Sequence, residues 1–171
     1  YDPAMEREEL RAVQEPLKER YRERPEEAVV TLRAAGELGP GITCSVQTGR
    51  ALAEAGLHPA SGGDGLALCS GDMLLEALAA RAGVTMGAVA TSLGLRVAGR
   101  VLVEGDLDFR GTLAVDRDVP VGFTSIRVAF EIESDASPGE LATLLRLTER
   151  YCVVFQSLAR TPELAVSYSG E

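Results

Sequence analysis

One stretch limits the fold more than any other: an almost uninterrupted apolar segment with an arginine in its middle. Residues 71–93 are mostly leucine, alanine, valine, glycine and methionine, and their only charged residues are Asp72, Glu76 and Arg81. This pattern predicts a helix that is buried on most of its surface. Ser70 suits the N-cap position, and Asp72 suits the first turn because the helix dipole favours negative charge there.

Arg81 is the residue that a buried helix does not accommodate. A guanidinium group is excluded from an apolar interior unless a carboxylate compensates its charge. Arg81 is therefore expected to point at water, to pair with a carboxylate, or to line a functional pocket. Asp72 and Glu76 lie nine and five residues before it, so neither has the ideal helical i−4 spacing, and the partner could come from another element or subunit.

The other segments predict an α+β protein in which helices pack on antiparallel sheet. Ser137-Pro-Gly-Glu140 has the composition of a capping box with proline at the first helical position, so a helix is expected to begin there. A further helix is expected over residues 151–159. The predicted strands, which form β-meanders, are 28–37, 42–48, 95–105, 112–115, 125–133 and 162–167.

The N-terminal region differs from the rest in its density of glutamate and arginine. Apolar side chains recur at helical spacing over residues 5–24, which predicts an amphipathic helix that Pro16 kinks or divides. We divide the chain into an N-terminal helical arm, residues 1–27, and one domain, residues 28–171. The arm is expected to pack on the body of the chain or on a partner subunit.

Charge and composition exclude several functions. The net charge of −9 repels phosphate backbones and tryptophan is absent, so nucleic-acid binding is not expected. No signal-peptide core is visible and no apolar run approaches the ~20 residues of a membrane span, so we expect a cytoplasmic protein without membrane contact. The one histidine, His58, precedes a proline in a loop and is expected to be a surface or a capping residue. Neither a metal nor a cofactor is expected.

The cysteines are three in number and widely spaced, which is not typical of a disulfide framework. Cys44 lies within a predicted strand and is interpreted as a small packed side chain. Cys69 lies just before the long helix, and Cys152 opens the last one.

Four motifs together resemble a known family, the OsmC-like family of osmotically inducible and organic-hydroperoxide-resistance proteins. The resemblance covers residues 28–168 and implies an intertwined homodimer of α+β subunits, built on a long central helix, with active sites between the chains. It also implies a thiol peroxidase in which one cysteine attacks the hydroperoxide and a second resolves the sulfenic acid. The motifs are Gly62-Gly-Asp-Gly65, Ser70-Gly-Asp72, Leu74-Leu-Glu-Ala-Leu-Ala-Ala-Arg-Ala-Gly-Val-Thr85 and Tyr151-Cys-Val-Val-Phe-Gln-Ser-Leu158.

Carried over by position, the resemblance gives three residues a role. Cys152 matches the resolving cysteine, Asp72 falls near the family's acidic residue, and Arg81 stands where the reactive cysteine belongs. An arginine can neither attack a peroxide nor form a sulfenic acid, because the thiolate is the nucleophile. The ordinary two-cysteine cycle therefore cannot run in this chain.

Three explanations stay open. Arg81 could be a fixed cation that binds an anionic or acyl ligand in a dimer-interface pocket, with Glu76 or Asp72 holding it. Cys69 could be a relocated nucleophile activated at a helix N-terminus, although it lies about 18 Å of helix away from position 81. Cys152 could react alone and be recycled by an external thiol, although its apolar neighbours would raise its pKa.

The sequence thus predicts an OsmC-like stress-response protein that is weak or inactive as a hydroperoxide reductase, with Cys152, Arg81 and Asp72 as the candidate catalytic residues. Its expected partners are a second copy of the chain, an organic hydroperoxide and a thiol reductant. The alternative is a non-catalytic protein that binds a small hydrophobic or anionic ligand through Arg81 and Glu76.

Overall fold

The computed structural model describes residues 7–38, 44–46, 55–66 and 68–168. Within these ranges the helices are α1 (Arg7–Glu23), α2 (Ser70–Leu93), α3 (Phe109–Thr112), α4 (Pro138–Tyr151) and α5 (Val153–Ala159). The strands are β1 (Val29–Leu38), β2 (Cys44–Val46), β3 (Ala55–Gly56), β4 (Leu68–Cys69), β5 (Ala98–Asp108) and β6 (Phe123–Glu133). Short 3-10 turns cover Pro25–Ala28 and Pro59–Ser61.

The main sheet is antiparallel and has the strand order β2-β1-β5-β6 among the described residues. β1 pairs with β5 from Val29 opposite Asp108 to Glu37 opposite Arg100. The strands predicted over 28–37, 42–48, 95–105 and 125–133 therefore belong to one sheet. β3 and β4 form a separate parallel pair of two residues each. The predicted α+β class is confirmed.

α2 supplies the largest part of the core. Its first half packs on β5 and on the junction between α4 and α5, and its second half packs on α4. Gly94 ends the helix in the left-handed conformation at φ 69°, which glycine adopts without a steric penalty. The buried residues of α2 are Leu75, Leu78, Ala79, Ala82, Gly83, Thr85, Met86, Val89 and Ala90.

By length and composition, α2 is also the one helix in the described part of the chain that could cross a membrane. Half of its most apolar window is buried inside the fold. A buried core helix of a globular protein passes the same test, so this is weak evidence for a span.

The N-terminal helix packs on the body of its own chain. Tyr21 is buried in a second core cluster with Ala28, Phe109 and Leu113. Its hydroxyl donates a hydrogen bond to the Ala60 carbonyl at 2.8 Å. α1 continues through its internal proline as one helix, so that residue does not divide it. The division of the chain at residue 27 stays a prediction.

The strand predicted over residues 112–115 is wrong. The segment forms α3 and a turn instead, because Asp108 caps that helical turn. The Asp108 carboxylate accepts a hydrogen bond from the Arg110 backbone amide at 3.0 Å. It also forms an ion pair with the Arg110 guanidinium at 2.6 Å.

The predicted strand over residues 162–167 does not form either. Residues 161–168 have no regular structure and are exposed, including Leu164, Val166 and Tyr168 at 78%, 99% and 95%. Of the strand predicted over 42–48, the described part is β2.

Candidate functional site

The exposed face of α2 carries Arg81. Its side chain is exposed, whereas the next residue, Ala82, is 2% exposed and belongs to the core. No described residue forms an ion pair with Arg81, so neither Asp72 nor Glu76 holds it in place. Of the three environments expected for this side chain, contact with water is the one that the fold provides.

Asp72 and Glu76 lie one turn apart near the start of α2 and are both half-buried. Burial raises the pKa of Asp72, and the nearby His58 partly offsets the effect. Burial also raises the pKa of Glu76, with a smaller contribution from the negative charge of Asp72. These two carboxyl groups are therefore easier to protonate than exposed ones, but they do not meet Arg81.

His58 has the structural role that the sequence predicts. Its Nδ1 accepts a hydrogen bond from the Ala60 backbone amide at 3.0 Å and caps the turn Pro59–Ser61. Its ring stacks on Phe109 with 5.0 Å between the ring centroids. In the described part of the chain, no three His, Cys, Asp or Glu residues come together as metal ligands would.

Cys152 occupies the junction between the last two helices. Its backbone amide donates to the Thr148 carbonyl at 2.9 Å, and its own carbonyl accepts from the Gln156 amide at 2.9 Å. The residue thus follows the end of α4 and is the N-cap residue of α5. This helix begins at Val153, two residues after the predicted start at residue 151. Its side chain is 1% exposed and packs in the same core cluster as Leu78 and Ala82.

Arg81 and Cys152, to which the resemblance assigns the two cysteine positions, face different surroundings. The Cys152 thiol packs in the core beside Ala82, while the Arg81 side chain leaves the helix on its exposed face. A helical residue and its successor point in directions about 100° apart, which accounts for the difference.

Cys69 is the N-cap residue of α2, a position that the sequence analysis gave to Ser70. It is half-buried, packs at the edge of the core cluster around α2, and makes no capping hydrogen bond with its side chain. Both Cys69 and Cys152 are free thiols. Cys44 lies in β2.

A cavity of about 490 Å³ opens between α2, β6, α4 and α5, beside Cys152. The sequence predicts a site role for only one of its residues, Cys152. Ala82 and Phe155 belong to the quoted motifs but carry no predicted role, and the other lining residues come from β6 and α4. The cavity is lined by Ala82, Val128, Phe130, Leu145, Arg146, Thr148, Glu149, Cys152 and Phe155.

A smaller hollow of about 300 Å³ continues from this cavity along the edge of the sheet. Phe155 lines both of them, and Leu78 and Phe123 form part of the walls of the second. The surface between β6 and the last two helices is thus a long, mostly apolar depression.

The protein is an α+β protein in which one long helix covers an antiparallel sheet. A buried cysteine lies at the junction of two further helices. A family model described as OsmC-like protein matches residues 62–167, more than half of the chain, and includes both Arg81 and Cys152. The chain belongs to the OsmC-like family. No curated protein matches the chain closely enough to serve as a relative.

Proposed function

We propose that this protein is an OsmC-like family member of the cytoplasm in which two-cysteine hydroperoxide reduction is weak or absent. One observation carries the proposal: an exposed arginine, not a thiol, occupies position 81, next to the helix surface where Cys152 is buried. The cycle implied by the family needs a thiolate to attack the peroxide and a second thiol to form the disulfide. Arg81 can do neither.

Neither remaining thiol of the described chain is a good substitute. Cys69 lies at a helix N-terminus, which favours a thiolate, but no described residue forms an ion pair at that end of α2. Cys152 is 1% exposed and surrounded by apolar side chains, which restricts access by a peroxide and by an external reductant. Both features support low activity.

The test is consumption of an organic hydroperoxide by the purified protein with excess dithiol. We expect the wild-type rate to match dithiol alone, and Arg81→Cys to consume the hydroperoxide in a manner that Cys152→Ser abolishes. Thr91→Cys is the matched control, because it adds a thiol to another exposed position of the same helix.

Two results would contradict the proposal. Wild-type turnover that is lost in Cys69→Ser or in Cys152→Ser alone would identify a relocated nucleophile. A folded Arg81→Cys variant no more active than Thr91→Cys would show that Arg81 is not the reason for the low activity.

A second candidate function is the binding of an anionic or acyl ligand without catalysis. It is supported by the Arg81 guanidinium, which is exposed and forms no ion pair with any described residue. An unpaired arginine suits a carboxylate, which it can bind through two parallel hydrogen bonds. Titration with octanoate, expected to weaken about tenfold in Arg81→Gln but not in Arg96→Gln, tests this function.

We also propose that the protein is a homodimer. Large apolar side chains that are exposed in one chain support this, since a partner copy would remove them from water. Sedimentation of the wild type is expected to give a dimer, and replacement of Val166 by aspartate is expected to weaken it. The most exposed of these side chains are Leu66, Val121, Tyr151, Val153, Leu164, Val166 and Tyr168.

A further inference from the structure

We propose that protonation of His58 releases the N-terminal helix α1 from the body of the chain. In its neutral state the imidazole stabilises the turn Pro59–Ser61, and α1 is attached to this turn. The proposal goes beyond the function proposed above, because it requires neither a thiol nor Arg81. Three observations carry it: the attachment of α1 to the turn, the dependence of the turn on the imidazole, and the charges that surround the ring.

Two side chains of α1 attach the helix to the turn. The Tyr21 hydroxyl donates a hydrogen bond to the Ala60 carbonyl at 2.8 Å, and Gln14 Nε2 donates one to the Ser61 carbonyl at 3.1 Å. The Tyr21 side chain is 1% exposed, so a movement of the turn would displace a closely packed ring. The docked position of α1 therefore depends on the shape of the turn.

The shape of the turn depends in its own right on His58. Its Nδ1 accepts a hydrogen bond from the Ala60 amide at 3.0 Å, and its carbonyl accepts one from the Ser61 hydroxyl at 2.9 Å. Its ring stacks on Phe109, which belongs to the same core cluster as Tyr21. One imidazole thus links the turn, α1 and the second core cluster.

The hydrogen bond from the Ala60 amide requires a neutral imidazole. A neutral ring that accepts through Nδ1 carries its proton on Nε2, whereas an imidazolium carries a proton on both nitrogens and has no acceptor. When a proton from solvent binds to Nδ1, the Ala60 amide therefore loses its acceptor and faces a second donor. Histidine side chains ordinarily gain this proton between about pH 8 and pH 5.

The charged groups around the ring favour the protonated state once it forms. Asp72, at the start of α2, interacts electrostatically with His58 and offers the imidazolium a partner in place of the amide. From α1, Tyr21 contributes a hydroxyl that already donates to a carbonyl of the turn. On α3, the Arg110 guanidinium is paired with Asp108 at 2.6 Å. Asp72 is therefore the charged partner that the ring gains when it leaves the turn.

Docking of α1 and protonation of His58 oppose each other. The docked state binds one proton fewer than the released state, so docking is favoured at high pH and is lost as the pH falls through the range of histidine. Release would also expose Ala28, Phe109 and Leu113, which pack with Tyr21 in the second core cluster. Acid thus converts a covered cluster into an exposed apolar surface.

The test follows the full chain between pH 8 and pH 5 by amide hydrogen exchange, corrected for its intrinsic pH dependence, and by the ring resonances of His58. We expect the protection of residues 7–23 to fall by up to about tenfold per pH unit as the ring titrates, because one proton is involved. The protection of α4 should not change and is the internal control. His58→Asn should keep α1 docked at pH 5, because an asparagine oxygen accepts from the same amide and gains no proton there.

A second pair of variants tests the attachment itself. Tyr21→Phe removes the hydrogen bond to the Ala60 carbonyl and should move the release of α1 to higher pH by up to about one unit. Tyr168→Phe, the same change at a residue that is 95% exposed, is the matched control and should not move it. The proposal is overturned if α1 stays protected while the His58 ring titrates, or if His58→Asn releases α1 at the same pH as the wild type. Loss of α4 protection together with that of α1 would also overturn it, because acid would then unfold the whole chain.

Discussion

The buried face of α2, with Leu78 and Ala82, and its exposed face, with Ala77 and Arg81, meet different surroundings. The buried face is packed by β5, by Cys152 and by the helices that flank it. The exposed face has no ion pair with any described residue at Arg81, and its apolar residues contact water in one chain. The comparison separates the positions of α2 that the core requires from those that it does not require.

This separation explains how position 81 can carry an arginine without loss of the fold. A side chain on the buried face must be apolar and must fit, because interiors are packed as densely as crystals. A side chain on the exposed face is free of both conditions, so an arginine is tolerated there. Cys152, by contrast, fills space in the core whether or not it reacts.

The largest effect is expected from truncating one leucine on each face. Leu78→Ala should lower the free energy of unfolding by about 2–5 kcal/mol, since a side chain that is 1% exposed leaves a cavity. Leu74→Ala, one turn earlier and 36% exposed, should cost less than about 1 kcal/mol in a monomer. Urea denaturation measures both. Equal losses would mean that the exposed face is also packed, as a dimer interface would require.

The next largest effect is a difference in the free energy of unfolding when each of the two described thiols is replaced by serine. Cys152→Ser places a hydroxyl in an apolar core and should lower the free energy of unfolding by about 1–3 kcal/mol. Cys69→Ser should be neutral or should raise it by about 0.5–1 kcal/mol, because serine at the N-cap can accept the hydrogen bond that this cysteine does not make.

Thermal unfolding under reducing conditions checks this prediction, and circular dichroism confirms that both variants are folded. A Cys152→Ser variant as stable as the wild type would show that the thiol is not packed as described. In that case its hydroxyl has found a partner, and Thr148 beside the same cavity is the nearest candidate.

Local signals in the sequence were sufficient for several elements. Ser137 and Glu140 form the predicted capping box, with the serine hydroxyl accepting from the Glu140 amide and the glutamate accepting from the Ser137 amide at 2.8 Å. The antiparallel pairing of β1 with β2 follows from alternation and a glycine-rich connection. Interactions between residues close in the sequence suffice for these elements, so they can be predicted from the sequence.

Features that depend on distant residues could not be predicted in this way. The strand predicted over residues 112–115 is replaced by the end of α3 and a turn, because the Asp108–Arg110 pair that stabilises this helical turn is not visible as a motif. The strand predicted over residues 162–167 needs a neighbouring strand to pair with, and no strand of the described chain pairs with it. The cavity beside Cys152 depends on four elements meeting, and the sequence places none of them relative to another.

The smallest effect concerns pH and the acidic residue at the start of α2. Burial raises the folded-state pKa of Asp72 above its unfolded value near 3.8. The folded state therefore binds more protons than the unfolded state between the two pKa values, and this contribution to stability falls as the pH rises through them. Asp72→Asn should raise the free energy of unfolding at pH 7 by about 0.5 kcal/mol or less, because partial exposure screens the charge.

The difference in free energy of unfolding between Asp72→Asn and the wild type depends on pH. This dependence shows whether desolvation or the helix dipole has the larger effect on the carboxyl group. If desolvation dominates, the advantage of Asp72→Asn over the wild type disappears below pH 3.8, where the native carboxyl group is protonated in both states. Asp118→Asn removes the same charge from an exposed turn and controls for the net charge of the protein. A loss of stability in Asp72→Asn at pH 7 would instead mean that the helix dipole stabilises the carboxylate by more than its burial costs.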